Sequence, residues 1–385
     1  MRGSRRSWVV GAVAAMFVVR LAPVASAADP SVSLSASRTR LTFGQSTVLS
    51  GKISPAPAGE IVKIVDGNGK VRGQDETNAA GEYEVTLWPR RNMRFRADWD
   101  GTTSDPVRVL VRPIVSVSLR GVRLFMGARV TGSVRPAQSG RVLLQLKRNG
   151  RLERSKRVFM SDGRFKAKFG IRKPGSHRVV AVFDGPDHLP GRGRSALSSP
   201  AMPSLSKGSR SIYVRALEGR LRDLGYRLLG VDRTYTHTTA DAVRAFNKVQ
   251  RRERLGSVSE STWRALASPT RPRPRSSTPR YHIEVDQTKQ VLYRVRRGRV
   301  ITILHVSTGA SGATHDGRYT FFRRVNGYSP NRLYYPVYFD GLRAIHGWPS
   351  VPTYPASHGC VRVPMWAAKW LSRKVELGHK IVIYH

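Results

Sequence analysis

From residue 30 to about 190, apolar residues gather in short runs separated by polar, glycine-bearing stretches, the signature of strands joined by turns. Runs such as Glu60-Ile61-Val62-Lys63-Ile64-Val65 and Arg141-Val142-Leu143-Leu144-Gln145-Leu146 are rich in β-formers. Glycine-bearing turns such as Asp66-Gly67-Asn68-Gly69 separate them. The pattern occurs twice. Ser31-Val32-Ser33-Leu34 returns as Ser116-Val117-Ser118-Leu119, Gly51-Lys52-Ile53-Ser54-Pro55-Ala56 as Gly132-Ser133-Val134-Arg135-Pro136-Ala137, and Gly81-Glu82-Tyr83 as Gly163-Arg164-Phe165. The offset stays between 81 and 85 residues. Short strands at this spacing predict an all-β antiparallel sandwich in each unit, residues 30–113 and 114–190. Nothing catalytic is visible in either, and a spacer or adhesive stalk is the simplest reading.

The period then changes. Leu217, Leu221 and Leu224 are spaced for one helical face. Ala240, Val243, Ala245 and Phe246 mark a second helix, with Thr238 or Thr239 as its cap, and Thr262 to Leu266 belong to a third. These define a small helical domain over 210–268. Residues 191–209, rich in Gly, Ser, Pro and Arg, read as a linker. The Pro/Arg run 269–279 reads as an extended tether that lets the last domain reach away. In 280–385 strands return at Tyr281–Val285, Val291–Val295, Val300–Val306 and Ile381–Tyr384. Pro364 to Val375 predicts one helix with proline in its first turn.

Two resemblances follow from these patterns. Each β repeat resembles bacterial immunoglobulin-like modules. Leu217…Leu221…Leu224-Gly225-Tyr226, Val231-Asp232, Thr239 to Phe246 and Gly256…Thr262-Trp263…Leu266 resemble the three-helix peptidoglycan-binding domain. Asn247 stands where that family usually has Gln, and Arg233-Thr234-Tyr235 replaces its usual Gly. Most of these residues are core positions in any case.

Charge and the N-terminus narrow the partners. Lys+Arg number 67 against 25 Asp+Glu, a formal +42. Such a surface favours polyanions, either nucleic acid or an acidic cell-wall polymer. Residues 1–27 have the three parts of an export signal: Arg2, Arg5 and Arg6, the apolar run Trp8 to Val19, and Ala25-Ser26-Ala27. Ser4-Arg5-Arg6-Ser7-Trp8 also fits a twin-arginine signal, so the twin-arginine and general routes both stay open. Export to the cell wall takes the mature chain, which has no further apolar run long enough to span a membrane, away from the genome. It thereby disfavours a specific nucleic-acid partner.

One cysteine, Cys360, remains to be explained. It sits in Ser357-His358-Gly359-Cys360-Val361-Arg362, nine residues after His346-Gly347. A thiol nucleophile needs a base, and histidine is the side chain best tuned to move that proton. Gly359 leaves the backbone bare, so amide N–H groups can approach an oxyanion. Two His and one Cys also suit an open zinc site, but the paired-ligand spacing is missing. A buried structural thiol fits the polar, glycine-bearing surroundings poorly.

The combination His346-Gly347…Ser357-His358-Gly359-Cys360-Val361-Arg362 resembles the signature of L,D-transpeptidase (YkuD-type) catalytic domains. Val306-Ser307-Thr308-Gly309 and Gly317-Arg318-Tyr319 resemble their upstream pattern. His315-Asp316 replaces the Pro-containing turn usual there, and the gap before Ser357 is shorter than in many members. The resemblance implies a β-rich catalytic domain without cofactor or metal, acting on peptidoglycan stems and glycan. Cys360 would attack a stem tetrapeptide at its third residue and expel D-alanine, with His346 moving the proton. Gly359 and Cys360 would supply oxyanion amides, His358 would support the site, and Ser357, Gly347 and Arg362 would face substrate. A neighbouring stem amine would complete a 3→3 cross-link. The alternative is hydrolysis through the same cysteine, as an L,D-carboxypeptidase or an enzyme detaching wall-linked proteins. A non-catalytic wall-binding role is the remaining reading.

Overall fold

A computed structural model describes residues 29–55 and 58–385 of the chain, so the export signal read from residues 1–27 lies outside the described residues. The chain divides into two compact units, one ending at Arg112 and joined by Asp187–Leu189, the other made of Pro113–Pro186 and Pro190–His385.

In the first unit, strand Thr47–Ser54 pairs with Glu82–Leu87 and with the short strands Ser31–Val32 and Ser35–Ala36. A second sheet runs Arg40–Thr42, Val107–Arg112, Met93–Trp99, Ile61–Asp66, Val71–Glu76. Inward residues of the two sheets, Leu49 and Ile53 against Val62, Ile64, Phe95 and Ala97, form one buried cluster. Alternation alone produces this, since every second side chain points to the same face.

The second unit begins with a similar sandwich. Ile114–Arg123, Gly127–Arg135 and Arg164–Phe169 form one sheet, and Arg151–Met160, Gly140–Arg148, His177–Phe183 and Gly191–Arg194 the other. Gly191–Arg194, expected in a linker, is a strand of this sheet, and Ser195 continues the pairing through its amide to Val179. Gly193 is needed there because a Cβ would lie 2.2 Å from the Val115 carbonyl oxygen. The composition of 191–209 suggested a loop, but it cannot reveal that a glycine is packed against a backbone.

Three helices follow: α1 (Ile212–Asp223), α2 (His237–Val249) and α3 (Glu260–Ala267). The cap of α2 is Thr236, earlier than the expected Thr238 or Thr239. Thr239 instead closes a capping box with Thr236 and donates its hydroxyl to Glu218 of α1 at 2.6 Å.

In the last domain, one sheet has the order Arg299–His305, Val291–Arg296, Tyr281–Asp286, Lys380–Tyr384, Gly317–Thr320. The other has the order Arg323–Arg324, Tyr334–Asp340, Arg343–Trp348, Val361–Pro364. Helix α4 (Met365–Lys374), capped by Pro364, covers the second sheet, with Ala367, Ala368 and Leu371 buried against Ile345, Val361 and Val363.

The helical and last domains are not tethered bodies. Val291, Tyr293, Val295 and Ile303 of the last domain belong to the same buried cluster as Leu221, Tyr226 and Phe246. The backbone joins as well: Ile303 N–H donates to Gly225 O at 2.8 Å and Arg227 N–H to Ile303 O at 3.1 Å. The Pro/Arg run is itself held, because the amides of Arg275 and Ser276 both donate to the buried Glu284 carboxylate at 2.9 Å. Lacking apolar residues, that run reads as free in composition. What fixes it is a carboxylate eight or nine residues downstream.

Candidate active site

The loop carrying Cys360 is built by hydrogen bonds from several directions. Gly309 and Ser357 form a parallel bridge, the Ala356 and Ser357 amides donate to Thr308 O, and Ser307 and Arg362 exchange both backbone bonds. Thr308 is in turn fixed by Gln290, which accepts its amide at 2.8 Å and donates to its hydroxyl at 2.7 Å. Thr314 Oγ1 accepts the Gly309 amide and donates to Gly359 O at 2.8 Å. Ser307, Thr308, Thr314 and Ser357 are all buried, so this polar framework is fully enclosed.

At Gly359 the backbone has φ +128°, and a Cβ would lie 3.0 Å from both Ala313 O and Arg343 Nε. Only glycine meets both demands. Its amide donates to Ser357 Oγ at 3.1 Å, and Ser357 Oγ–H donates to Cys360 O at 2.5 Å. Ser357, expected to face substrate, is therefore buried and shapes the turn at Cys360. The Gly359 amide, expected at an oxyanion, is turned to that hydroxyl.

Cys360 immediately precedes strand Val361–Pro364, which pairs in parallel with Arg343–Trp348 in the register Ile345↔Val361 and His346↔Arg362. Val361, Val363 and Ile345 point into the core, so Cys360 and His346 project from the opposite face. His346 lies on the strand beside the one that Cys360 leads into, and the Cys360 Sγ itself stands 3.8 Å from Leu342 O. Gly347, also expected to face substrate, points the other way: a Cβ there would come 2.7 Å from that of Ala368 on α4.

The Gly347 carbonyl does, however, fix the His346 ring. His346 Nδ1 lies 2.9 Å from Gly347 O, and a carbonyl only accepts, so Nδ1 carries the proton and Nε2 holds the free lone pair. The ring also packs edge-on against Trp348 at 5.5 Å, and the Arg362 guanidinium sits 5.2 Å over the same indole. Arg362 is half-buried, and His358 is exposed with no hydrogen bond among the described residues.

Electrostatics keep this pair neutral at rest. Burial pushes the Cys360 thiol up, against the pull of the Ala344 amide and the cations Arg362 and Arg343. Burial pushes His346 down, helped by Arg362 and opposed by the Gly347 carbonyl. Both shifts favour the neutral forms, a thiol at Cys360 and an unprotonated imidazole at His346. Among the described residues, no group of three or more His, Cys, Asp or Glu is arranged to hold a metal ion.

Residues 280–383 match the L,D-transpeptidase catalytic domain (YkuD). An L,D-transpeptidase from Xylanimonas cellulosilytica DSM 15894, solved by crystallography, is 37% identical over 49% of this chain and 100% of its own, with a TM-score of 0.46. The chain belongs to the L,D-transpeptidase family. An L,D-transpeptidase from Stackebrandtia nassauensis is 21% identical over 49% of this chain and 98% of its own, TM-score 0.32. L,D-transpeptidase 3 from Mycobacterium tuberculosis is 14% identical over 28% and 62%, TM-score 0.26. Among curated proteins none matches.

In this family member the helical domain reaches the loop that precedes Cys360. Lys248 of α2 is buried with its Nζ 2.9 Å from Gln290 O, 3.0 Å from Val306 O and 2.7 Å from His305 Nδ1. His305 Nε2–H donates to Val351 O at 2.9 Å, and Arg254 donates to the Thr353 and Thr288 carbonyls. The segment between His346-Gly347 and Ser357 is thus pinned from outside the catalytic domain. Burial pushes Lys248 down to about 6 and His305 to about 3. Sequence reasoning missed Lys248, Gln290, Thr314 and Arg343, because single polar residues in loops or on a helix carry no periodic signal. His305 is the relay between α2 and the loop.

Proposed function

We propose that this chain acts outside the cell as a cysteine-dependent L,D-transpeptidase that forms 3→3 peptidoglycan cross-links. The observation that carries the reading is the parallel pairing that brings His346 beside the strand starting just after Cys360, with the imidazole fixed in the tautomer that leaves Nε2 basic.

As the thiol attacks the carbonyl carbon of the third stem residue, Nε2 takes the Sγ proton and a new C–S bond forms. Charge on the carbonyl oxygen is met by the Cys360 amide, one such donor being worth about 3 kcal/mol. The C–N bond to D-alanine then breaks, His346 returns the proton to the leaving amine, and a thioester remains. An amine of a second stem attacks that thioester, His346 takes its proton, and the sulfur leaves and is reprotonated. Arg362, held over Trp348, stands beside this path as a contact for substrate carboxylates. The export signal at 1–27 supports action at the wall.

Purified protein incubated with tetrapeptide stems is expected to release D-alanine and yield cross-linked dimers by mass spectrometry. Cys360→Ala is expected to lose both while melting like the parent. Turnover retained in that variant would exclude thiol catalysis. Tripeptide monomers in place of dimers would assign the same cysteine to hydrolysis.

A further inference from the structure

The two sandwiches have matching strands but opposite charge on one solvent face. In the second, Arg120, Arg129 and Lys168 lie directly opposite one another across three strands. The next rows are Ser118, Thr131, Lys166 and Ser116, Ser133, Arg164. All five cations are exposed, none makes an ion pair with a described residue, and no carboxylate shares these rows. Like charges placed directly opposite weaken a sheet, so a face built this way costs stability unless something neutralises it.

The first sandwich supplies the internal comparison. Its strand Thr47–Ser54 pairs with Glu82–Leu87 in the same manner, Lys52 opposite Glu82, Ser50 opposite Glu84 and Val48 opposite Thr86. Through the repeat, Glu82, Glu84 and Thr86 correspond to Arg164, Lys166 and Lys168. The fold therefore tolerates acids at these positions, and the cations are not a packing requirement.

We propose that this face of the second sandwich, centred on Arg129, Lys166 and Lys168, binds a linear phosphate-bearing polymer of the cell envelope. Cations at alternate residues of one strand recur every ~6.8 Å, and a row across strands every ~4.8 Å, so an extended chain meets a charge whichever way it lies. Hydroxyls of Ser118, Thr131 and Ser133 stand between them as further donors to phosphate oxygens. The rows contain no aromatic side chain on which a base could stack, which favours a polymer without bases over single-stranded nucleic acid. The proposal is independent of the cysteine chemistry.

The test measures binding of long-chain inorganic polyphosphate by the full chain as a function of salt. The variant R164E/K166E/K168T carries the acids and threonine of the first repeat. Three lost contacts at ~0.7 logarithmic units per decade of salt predict affinity about 100-fold lower at 0.1 M, with a salt slope shallower by about 2. The variant is expected to melt no lower than the parent, which separates lost binding from lost folding. A control, R38E/R40E/K52T, removes the same total charge from exposed positions of the first sandwich and is expected to bind like the parent. Parental affinity in the first variant, or an equal loss in the control, overturns the proposal. So does a single-stranded DNA oligonucleotide that stays bound at salt concentrations releasing polyphosphate.

Discussion

Replacing Ser357 by alanine isolates the link between the shape of the nucleophile turn and the rate of reaction. The hydroxyl is buried, accepts the Gly359 amide at 3.1 Å and donates to Cys360 O at 2.5 Å. Each bond is worth about 1 kcal/mol net, so Ser357→Ala removes about 2 kcal/mol from the unit containing the catalytic domain. For a unit of this size that lowers the melting temperature by about 4–8 °C. The change deletes one atom, and neither bond involves substrate, so KM should move little. The freed Gly359 amide and Cys360 carbonyl let the turn, held at φ +128°, sample other conformations. If the same 2 kcal/mol is needed to hold the reactive geometry, kcat falls by about 30-fold. The assay is the rate at which a penem adds mass to Cys360, measured beside a melting curve. Ser357→Ala that acylates and melts like the parent refutes the view that this hydroxyl organises the nucleophile.

Three further perturbations probe the electrostatics and the domain contact. Because His346 is held below its usual value, the acid limb of kcat/KM should fall below pH 6.5; because the thiol is held above its own, alkylation by iodoacetamide should accelerate only above pH 8.5. A thiolate reactive at pH 6 would contradict both. Lys248→Met keeps the aliphatic stem and removes the donors to Gln290, Val306 and His305; amide exchange should quicken at 351–356 and kcat should drop more than KM rises. Unchanged exchange there would show that α2 does not hold the loop. Burial alone would raise the Glu284 pKa, but the His282 ring and the Arg275 and Ser276 amides outweigh it and hold the carboxyl below its usual value. A depressed carboxylate stabilises above its unfolded pKa and loses that contribution as pH falls through the folded one. Glu284→Gln should therefore destabilise at pH 7, with the deficit shrinking below about pH 4, and should expose 269–279 to proteolysis.

Period and motif made much of this legible in advance. Runs of β-formers located Tyr281–Asp286, Val291–Arg296, Arg299–His305 and Lys380–Tyr384 to within a residue or two but left the sheet that carries His346 unread, and His346 and Cys360 stood out because few other residue pairs perform acyl transfer at neutral pH. What the chain order did not disclose is contact between distant segments. Gly347 and Ser357 looked like substrate residues from their place in the motif, yet one packs against Ala368 and the other ties a turn. Lys248, 112 positions before the cysteine, reaches the loop only because Tyr226 and Ile303 bring two domains into one core. A tether was read where proline and arginine abound, since composition records the absence of core residues but not a buried carboxylate waiting for two amides.

The resting state of the site also bears on why a solitary thiol is tolerable beyond the cytoplasm, where we place this enzyme. A thiolate is the form that oxidants attack, and a protein with one cysteine has no internal partner to recapture a sulfenic acid as a disulfide. The half-buried setting of Cys360 pushes its thiol further up, which lowers the thiolate fraction and slows that attack in the absence of substrate. The same burial holds His346 unprotonated, so the proton has an acceptor once an acyl group arrives. Had the pair rested as thiolate and imidazolium, the sulfur would be most reactive when idle. A neutral pair confines reactivity to the moment when a carbonyl carbon lies against the sulfur and the developing negative charge passes to its oxygen. Protection and catalysis then have one cause, the desolvation of two side chains on adjacent strands.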